Sequence, residues 1–128
     1  VLQSVGGLDI AGLVGVCIGG ALFHVPVVLD GVISLSAALA AERLAPGCRA
    51  YLLASHRGKE PAADLLLREL SLNPVIDAQL ALGEGTGAVM LFPLLDMAVS
   101  VYRSGITFER MQVEQYRRLA QETERGER

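Results

Sequence analysis

Apolar positions along the 128-residue chain fall into runs of two kinds, and their alternation predicts the elements. Asp9 offers a cap for a helix from Ile10 to about Phe23. Gly12, Gly15, Gly19 and Gly20 lower its helix propensity but permit close packing on a sheet or a second helix. Pro26 opens VPVVLDG, a short β-branched run ending in Asp-Gly, which reads as a buried parallel strand. SLSAALAAERL follows as a helix opened around Ser34 and Ser36 and stopped by Pro46-Gly47. The run from Cys48 predicts a second strand over 48–54. Pro61 suits the first turn of a third helix, with Leu65, Leu66 and Leu70 as its apolar face and Asn73-Pro74 beyond its end. VIDAQLAL reads equally as a short strand or a helix. After a glycine loop at 83–87, TGAVMLFPLLDMAVSVYRSG predicts a mostly buried helix with a kink or early break at Pro93. A charged helix from Thr107 to about Glu124 carries Phe108, Met111, Gln115 and Leu119 at near-heptad spacing.

Strands alternating with helices of this length predict an α/β fold with a parallel sheet and right-handed crossovers. In such sheets ligands bind beyond the carboxyl ends of the strands. The first strand delivers Asp30-Gly31 to that edge, and the second delivers Ser55-His56-Arg57-Gly58. The glycine loop opens another helix and can meet them there.

Composition narrows the classes. The chain is 52% hydrophobic and 20% charged, with mean hydropathy +0.42. Its apolar runs nevertheless fall short of the ~18–20 uninterrupted residues of a membrane span. The surplus apolarity points to two-sided burial in an α/β core or to a surface awaiting a partner. A net charge of −3, no basic patch and no tryptophan argue against nucleic-acid binding. Cys17 and Cys48 lack metal-ligand spacing and read as reduced cytoplasmic thiols. A start at Val1 without a basic leader predicts a piece of a longer or processed chain.

Three polar groups stand out. Glu84, between Gly83 and Gly85, is either a solvent-facing loop carboxylate or a base at a helix N-terminus. The amides there also suit a phosphate. Asp30 either caps the helix that follows it or holds a ribose or orients a partner. His56 is a structural hydrogen-bonder or a catalyst. His24 lies in a connection, so neither histidine makes a metal site, and Lys59 with Glu60 is a further candidate pair. Together these residues predict a small-molecule, phosphate-bearing site near Asp30, His56 and Glu84, without naming a reaction.

Four blocks give the chain a recognisable likeness: VGGLDIAGLVG (5–15), VPVVLDGVIS (25–34), SHRGKEP (55–61) and LGEGTGAVMLFPLLDMA (82–98). In these it resembles the nicotinate-nucleotide:dimethylbenzimidazole phosphoribosyltransferases of cobalamin biosynthesis, and it looks like roughly their C-terminal third. The last block is the most specific, since the family motif is Leu-Gly-Glu-Gly-Ser/Thr-Gly-Ala. The resemblance implies a Rossmann-like parallel sheet with flanking helices over residues 1–106, followed by a charged C-terminal helix at 107–128. It implies transfer of the phosphoribosyl group of nicotinate mononucleotide to 5,6-dimethylbenzimidazole, giving α-ribazole 5′-phosphate and nicotinate. The general base maps to Glu84. Substrate contacts map to Asp30, Gly31, Ser34, His56, Gly58, Glu60, Gly83, Gly85, Thr86 and Gly87.

That likeness also implies small-molecule substrates as partners, no cofactor or metal, a cytoplasmic location and a homodimer of the full protein. Gly58 is a departure, because members commonly carry Ser in that block. One hydroxyl fewer for the ribotide phosphate is offset by a backbone N–H or by Arg57. The competing expectation is a non-catalytic α/β binding or assembly module that keeps the glycine loop for structure alone.

Overall fold

The first helix closes on His24 in the left-handed conformation (φ 57°), with the Val25 N–H reaching the Gly20 carbonyl at 2.8 Å, and the β-branched pair after Pro26 begins the sheet. In a computed structural model, which describes residues 6–81 and 83–112, the elements run in the expected order. They are α1 (Leu8–Leu22), β1 (Val27–Leu29), α2 (Val32–Leu44), a 3₁₀ turn (Cys48–Tyr51), β2 (Leu52–Ala54), α3 (Pro61–Leu70), α4 (Thr86–Ser104) and α5 (Phe108–Met111). The chain divides into two compact units between Leu94 and Leu95.

In the first unit β1 and β2 pair in parallel, with Val27 opposite Leu52, Val28 opposite Leu53 and Leu29 opposite Ala54. The α/β class with a parallel sheet is therefore observed, and α2 is the crossover. VIDAQLAL is neither a helix nor a full strand. Ile76 alone bridges His56 in parallel, with its N–H donating to the Ser55 carbonyl at 2.9 Å.

Small side chains set the packing. Ala37, Ala38 and Ala41 are fully buried on α2, which packs against α1 and α3. Gly20 brings α1 onto β1, where a Cβ would lie 2.8 Å from the Val25 carbonyl oxygen. Leu29, Leu35, Leu67 and Leu70 fill the space between, each worth about 1.5–3 kcal/mol when fully buried.

Several boundaries and faces differ from expectation. α1 starts at Leu8 behind Gly7, so Asp9 lies within its first turn rather than capping it. There it still faces the positive helix end favourably. α2 starts at Val32, and Ser34 and Ser36 bond back to the Gly31 and Val32 carbonyls (both 2.8 Å) instead of opening the helix. Residues 48–51 form a 3₁₀ turn, which leaves only 52–54 as strand. On α3 the buried stripe is Ala63, Leu67 and Leu70, the i, i+4, i+7 set, and it puts Leu65 in solvent. Ser71 closes that helix in the left-handed conformation, with the Leu72 N–H reaching the Leu67 carbonyl at 2.9 Å.

α4 departs most. It runs from Thr86 to Ser104 without a break at Pro93, and within it only Gly87 and Leu91 are buried among the described side chains. Val89, Met90, Phe92 and Met97 are exposed, so part of the chain's surplus apolarity lies uncovered on α4. In the second unit α5 follows a left-handed turn at Gly105 (φ 62°). The helix expected to about Glu124 lies outside the described residues beyond Gln112. No helix among the described residues is long and apolar enough to cross a membrane.

Both cysteines are free and buried, and the Cys48 thiol donates to the Cys17 carbonyl at 3.1 Å. Burial, reinforced by the neighbouring Cys48, pushes the Cys17 thiol up from 9.0 to about 11. The folded chain holds this proton where the unfolded chain loses it, so stability is intact below pH 9.0 and falls as pH rises towards about 11. Chemical denaturation at a series of alkaline pH values will show that fall, and Cys17→Ala will flatten it.

Candidate functional site

The carboxyl ends of β1 and β2 carry Asp30 and the Ser55-His56 pair, and the turn that starts α4 comes to the same edge. Asp30 follows Leu29 directly, and its carboxylate reaches across 55 residues of sequence. Oδ2 accepts the Gly85 N–H at 3.0 Å, and Oδ1 accepts the Ala88 N–H at 3.1 Å. Gly85 precedes the first helical residue, and its own carbonyl accepts the Val89 N–H at 3.0 Å. It therefore occupies the N-cap position, where an ordinary residue offers a capping side chain. Glycine offers none, and Asp30 supplies the cap from another strand. The donors it satisfies, at the cap and three residues on, are the pair that a local capping box would satisfy.

Asp30 thus caps α4 rather than the helix that follows it in sequence, and it occupies two of the amides at the start of α4. The Gly85 and Ala88 amides are paired with a carboxylate, so they are not donors waiting for a phosphate. Gly83 and Gly85 have φ of 67° and 79°, the left-handed region that glycine tolerates best. Glu84 stands between them, exposed.

Ser55 and His56 are the polar side chains buried among the described residues. The Ser55 hydroxyl donates to the Leu29 carbonyl at 2.6 Å and lies 3.0 Å from His56 Nδ1. A hydroxyl has one proton to give, so Nδ1–H must donate to Ser55 Oγ, and Nε2 carries the lone pair whenever the ring is neutral. His56 Nδ1 is also 4.0 Å from Asp30 Oδ1. The imidazole packs directly on Gly87, where a Cβ would overlap the ring at 2.7 Å from Cγ. Histidine and glycine loop are thus fitted to each other.

These groups border a cleft of about 320 Å³. Asp30, Gly31, Ser34, His56, Glu60 and Gly83 line it among the expected residues, together with the apolar Leu13, Ile33 and Leu80. Glu84, Gly85, Thr86 and Gly87 stand behind or beside it rather than in its lining. Gly58 does not line it either, and borders a separate hollow with Lys59 and Asp77. Arg57 lines that hollow beside Gly58 and faces two carboxylates, with Nε 3.5 Å from Asp64 and Nη1 4.0 Å from Asp77. Among the described residues the lining contains carboxylates and no lysine or arginine. No group of three or more potential metal ligands occurs among them. Ser55 was not among the expected contacts, and its only sequence signal is its place at a strand end beside His56.

Comparison with known proteins gives this arrangement a context. A family model described as phosphoribosyltransferase matches residues 1–113. The nicotinate-nucleotide–dimethylbenzimidazole phosphoribosyltransferase of Clostridium acetobutylicum is 44% identical over 119 residues, which is 93% of this chain and 34% of that protein. The protein of the same name from Salinispora tropica is 49% identical over 109 residues, 85% of this chain and 30% of its own. The crystal structure of the Thermus thermophilus enzyme of that name superposes with a TM-score of 0.81 at 39% identity, covering 90% of this chain and 34% of that one. The chain spans about a third of the length of the curated relatives it matches.

The fit between histidine and glycine loop is directly testable. Gly87→Ala must displace the His56 ring or the helix start, and the overpacking is expected to cost about 1–3 kcal/mol in chemical denaturation. His56→Ala in the same background vacates the ring's space and is expected to recover part of that loss.

Proposed function

The chain belongs to the phosphoribosyltransferase family, and from that membership we propose that it forms the part of a nicotinate-nucleotide:dimethylbenzimidazole phosphoribosyltransferase that carries the general base, Glu84. One observation supports this above the others. Glu84 is exposed on a turn between Gly83, which lines the cleft, and Gly85, which Asp30 ties down. A carboxylate there stands next to the cleft-lining Gly83 and within reach of solvent.

In the proposed reaction a ring nitrogen of the benzimidazole attacks C1′ of nicotinate mononucleotide. The bond between C1′ and the pyridinium nitrogen breaks, and its electron pair returns to the pyridine, which leaves as nicotinate. The N–H proton of the incoming base passes to the Glu84 carboxylate. Negative charge near C1′ also favours the oxocarbenium character of the ribose during transfer. The apolar side chains of Leu13, Ile33 and Leu80 suit a flat aromatic ring, while Ser34 and Glu60 suit ribose hydroxyls. The acidic lining is a poor phosphate site, so the ribotide phosphate is assigned to residues elsewhere in the family's length. The same reading assigns the protein to the cytoplasm as a homodimer. The uncovered apolar face of α4 supports it as surface for the rest of the enzyme or a second subunit.

Glu84→Gln, made in the complete product of the reading frame that encodes this chain, is expected to lower nicotinate release by about 10²–10⁴-fold, the usual worth of a general base. Its circular dichroism and thermal unfolding should match the parent. Near-parental turnover would remove Glu84 from the role, whereas absence of nicotinate release by the complete parent product would make the non-catalytic binding module the better reading.

A further inference from the structure

We propose that Asp30 is a positioning residue that sets the geometry of Glu84, and not a substrate ligand. The inference rests on the reading of Glu84 as base. Glu84 is flanked by two glycines in the left-handed region, at φ 67° and 79°. Glycine has the largest conformational freedom to lose, so local preference does not hold such a turn in one shape. The hold comes from outside. Both oxygens of Asp30 are occupied by backbone amides, Gly85 on one side of the turn and Ala88 one helical step on. Bonds at both points fix the direction in which α4 leaves and hence the direction in which Glu84 projects.

Asp30 is itself fixed at the end of β1. Its carbonyl lies 3.3 Å from the Ser55 hydroxyl, and the Leu29 carbonyl before it accepts both the Ser55 N–H at 3.1 Å and the Ser55 hydroxyl at 2.6 Å. The paired strands thus act through one carboxylate on a loop more than fifty residues away. The side chain is mostly buried, 18% exposed, which keeps water from competing strongly for the two amides. The His56 ring packs against Gly87 at the start of α4, a second contact between this segment and the sheet edge.

The test uses the complete gene product with Asp30→Asn and, separately, Asp30→Ala. Asn is isosteric and can accept from only one of the two amides through its single oxygen, whereas its NH₂ would oppose the other N–H. Asp30→Asn should therefore lower kcat by about 10²-fold, the scale of a misplacement near 1 Å. KM for nicotinate mononucleotide should stay close to its parental value. Asp30→Ala should lower kcat further. In parallel, hydrogen–deuterium exchange over residues 83–88 should accelerate in Asp30→Asn, with the core of α2 unchanged. Unchanged exchange in that segment overturns the proposal whatever the kinetics show. A raised KM with parental kcat also overturns it, because that is the mark of a lost substrate contact. The exchange result does not depend on Glu84 chemistry. Full activity of Glu84→Gln alongside accelerated exchange would sink the base assignment while leaving the hold of Asp30 on the turn demonstrated.

Discussion

One carboxylate organises the functional edge of this chain. Asp30 closes β1 and, through its two oxygens, starts α4. Hydrogen bonds to a charged group are worth about 1.5–3 kcal/mol each, and this pair joins elements that no continuous sheet connects. Without it the glycine turn would be attached only by its ends. With it, Glu84 has a defined place beside a cleft whose other wall is built from the start of α2.

The surroundings make the arrangement consistent. Ser55 is buried and gives its proton to the Leu29 carbonyl, which orients the protonated nitrogen of His56. The ring then fills the space that a side chain at position 87 would need. Glycine at 87 therefore reflects close approach by a neighbour, while glycine at 83 and 85 reflects backbone conformation. The glycines of the motif answer to two constraints, and a substitution at 87 should fail for a different reason from one at 83 or 85.

Much of the fold was legible because burial imposes periodicity. The β-branched pair after Pro26, the alanine-rich α2 and the proline at the head of α3 all announced their elements locally. The site edge was legible for the same reason, since Asp30 and His56 terminate recognisable strands. What depends on distant partners was not. The cap of α4 comes from Asp30, so the amides near Glu84 could not be known to be occupied. Arg57 is turned to Asp64 and Asp77, which lie on a helix and on a loop after it. The apolar sequence of α4 looked like a core helix, yet most of its side chains meet solvent here. Hydropathy registers the demand for a cover and says nothing about which polypeptide provides it.

On the proposed reading the cleft receives the base and ribose while Asp30 remains on the loop and Glu84 meets the proton to be removed. A crystal structure of the complete gene product with nicotinate mononucleotide and dimethylbenzimidazole tests it most directly. The expected complex has the Glu84 carboxylate within hydrogen-bonding distance of a benzimidazole nitrogen, with Asp30 still accepting from Gly85 and Ala88. A structure in which Asp30 has left those amides to bind the ribotide, or in which another group meets the ring nitrogen while Glu84 faces solvent, would contradict it.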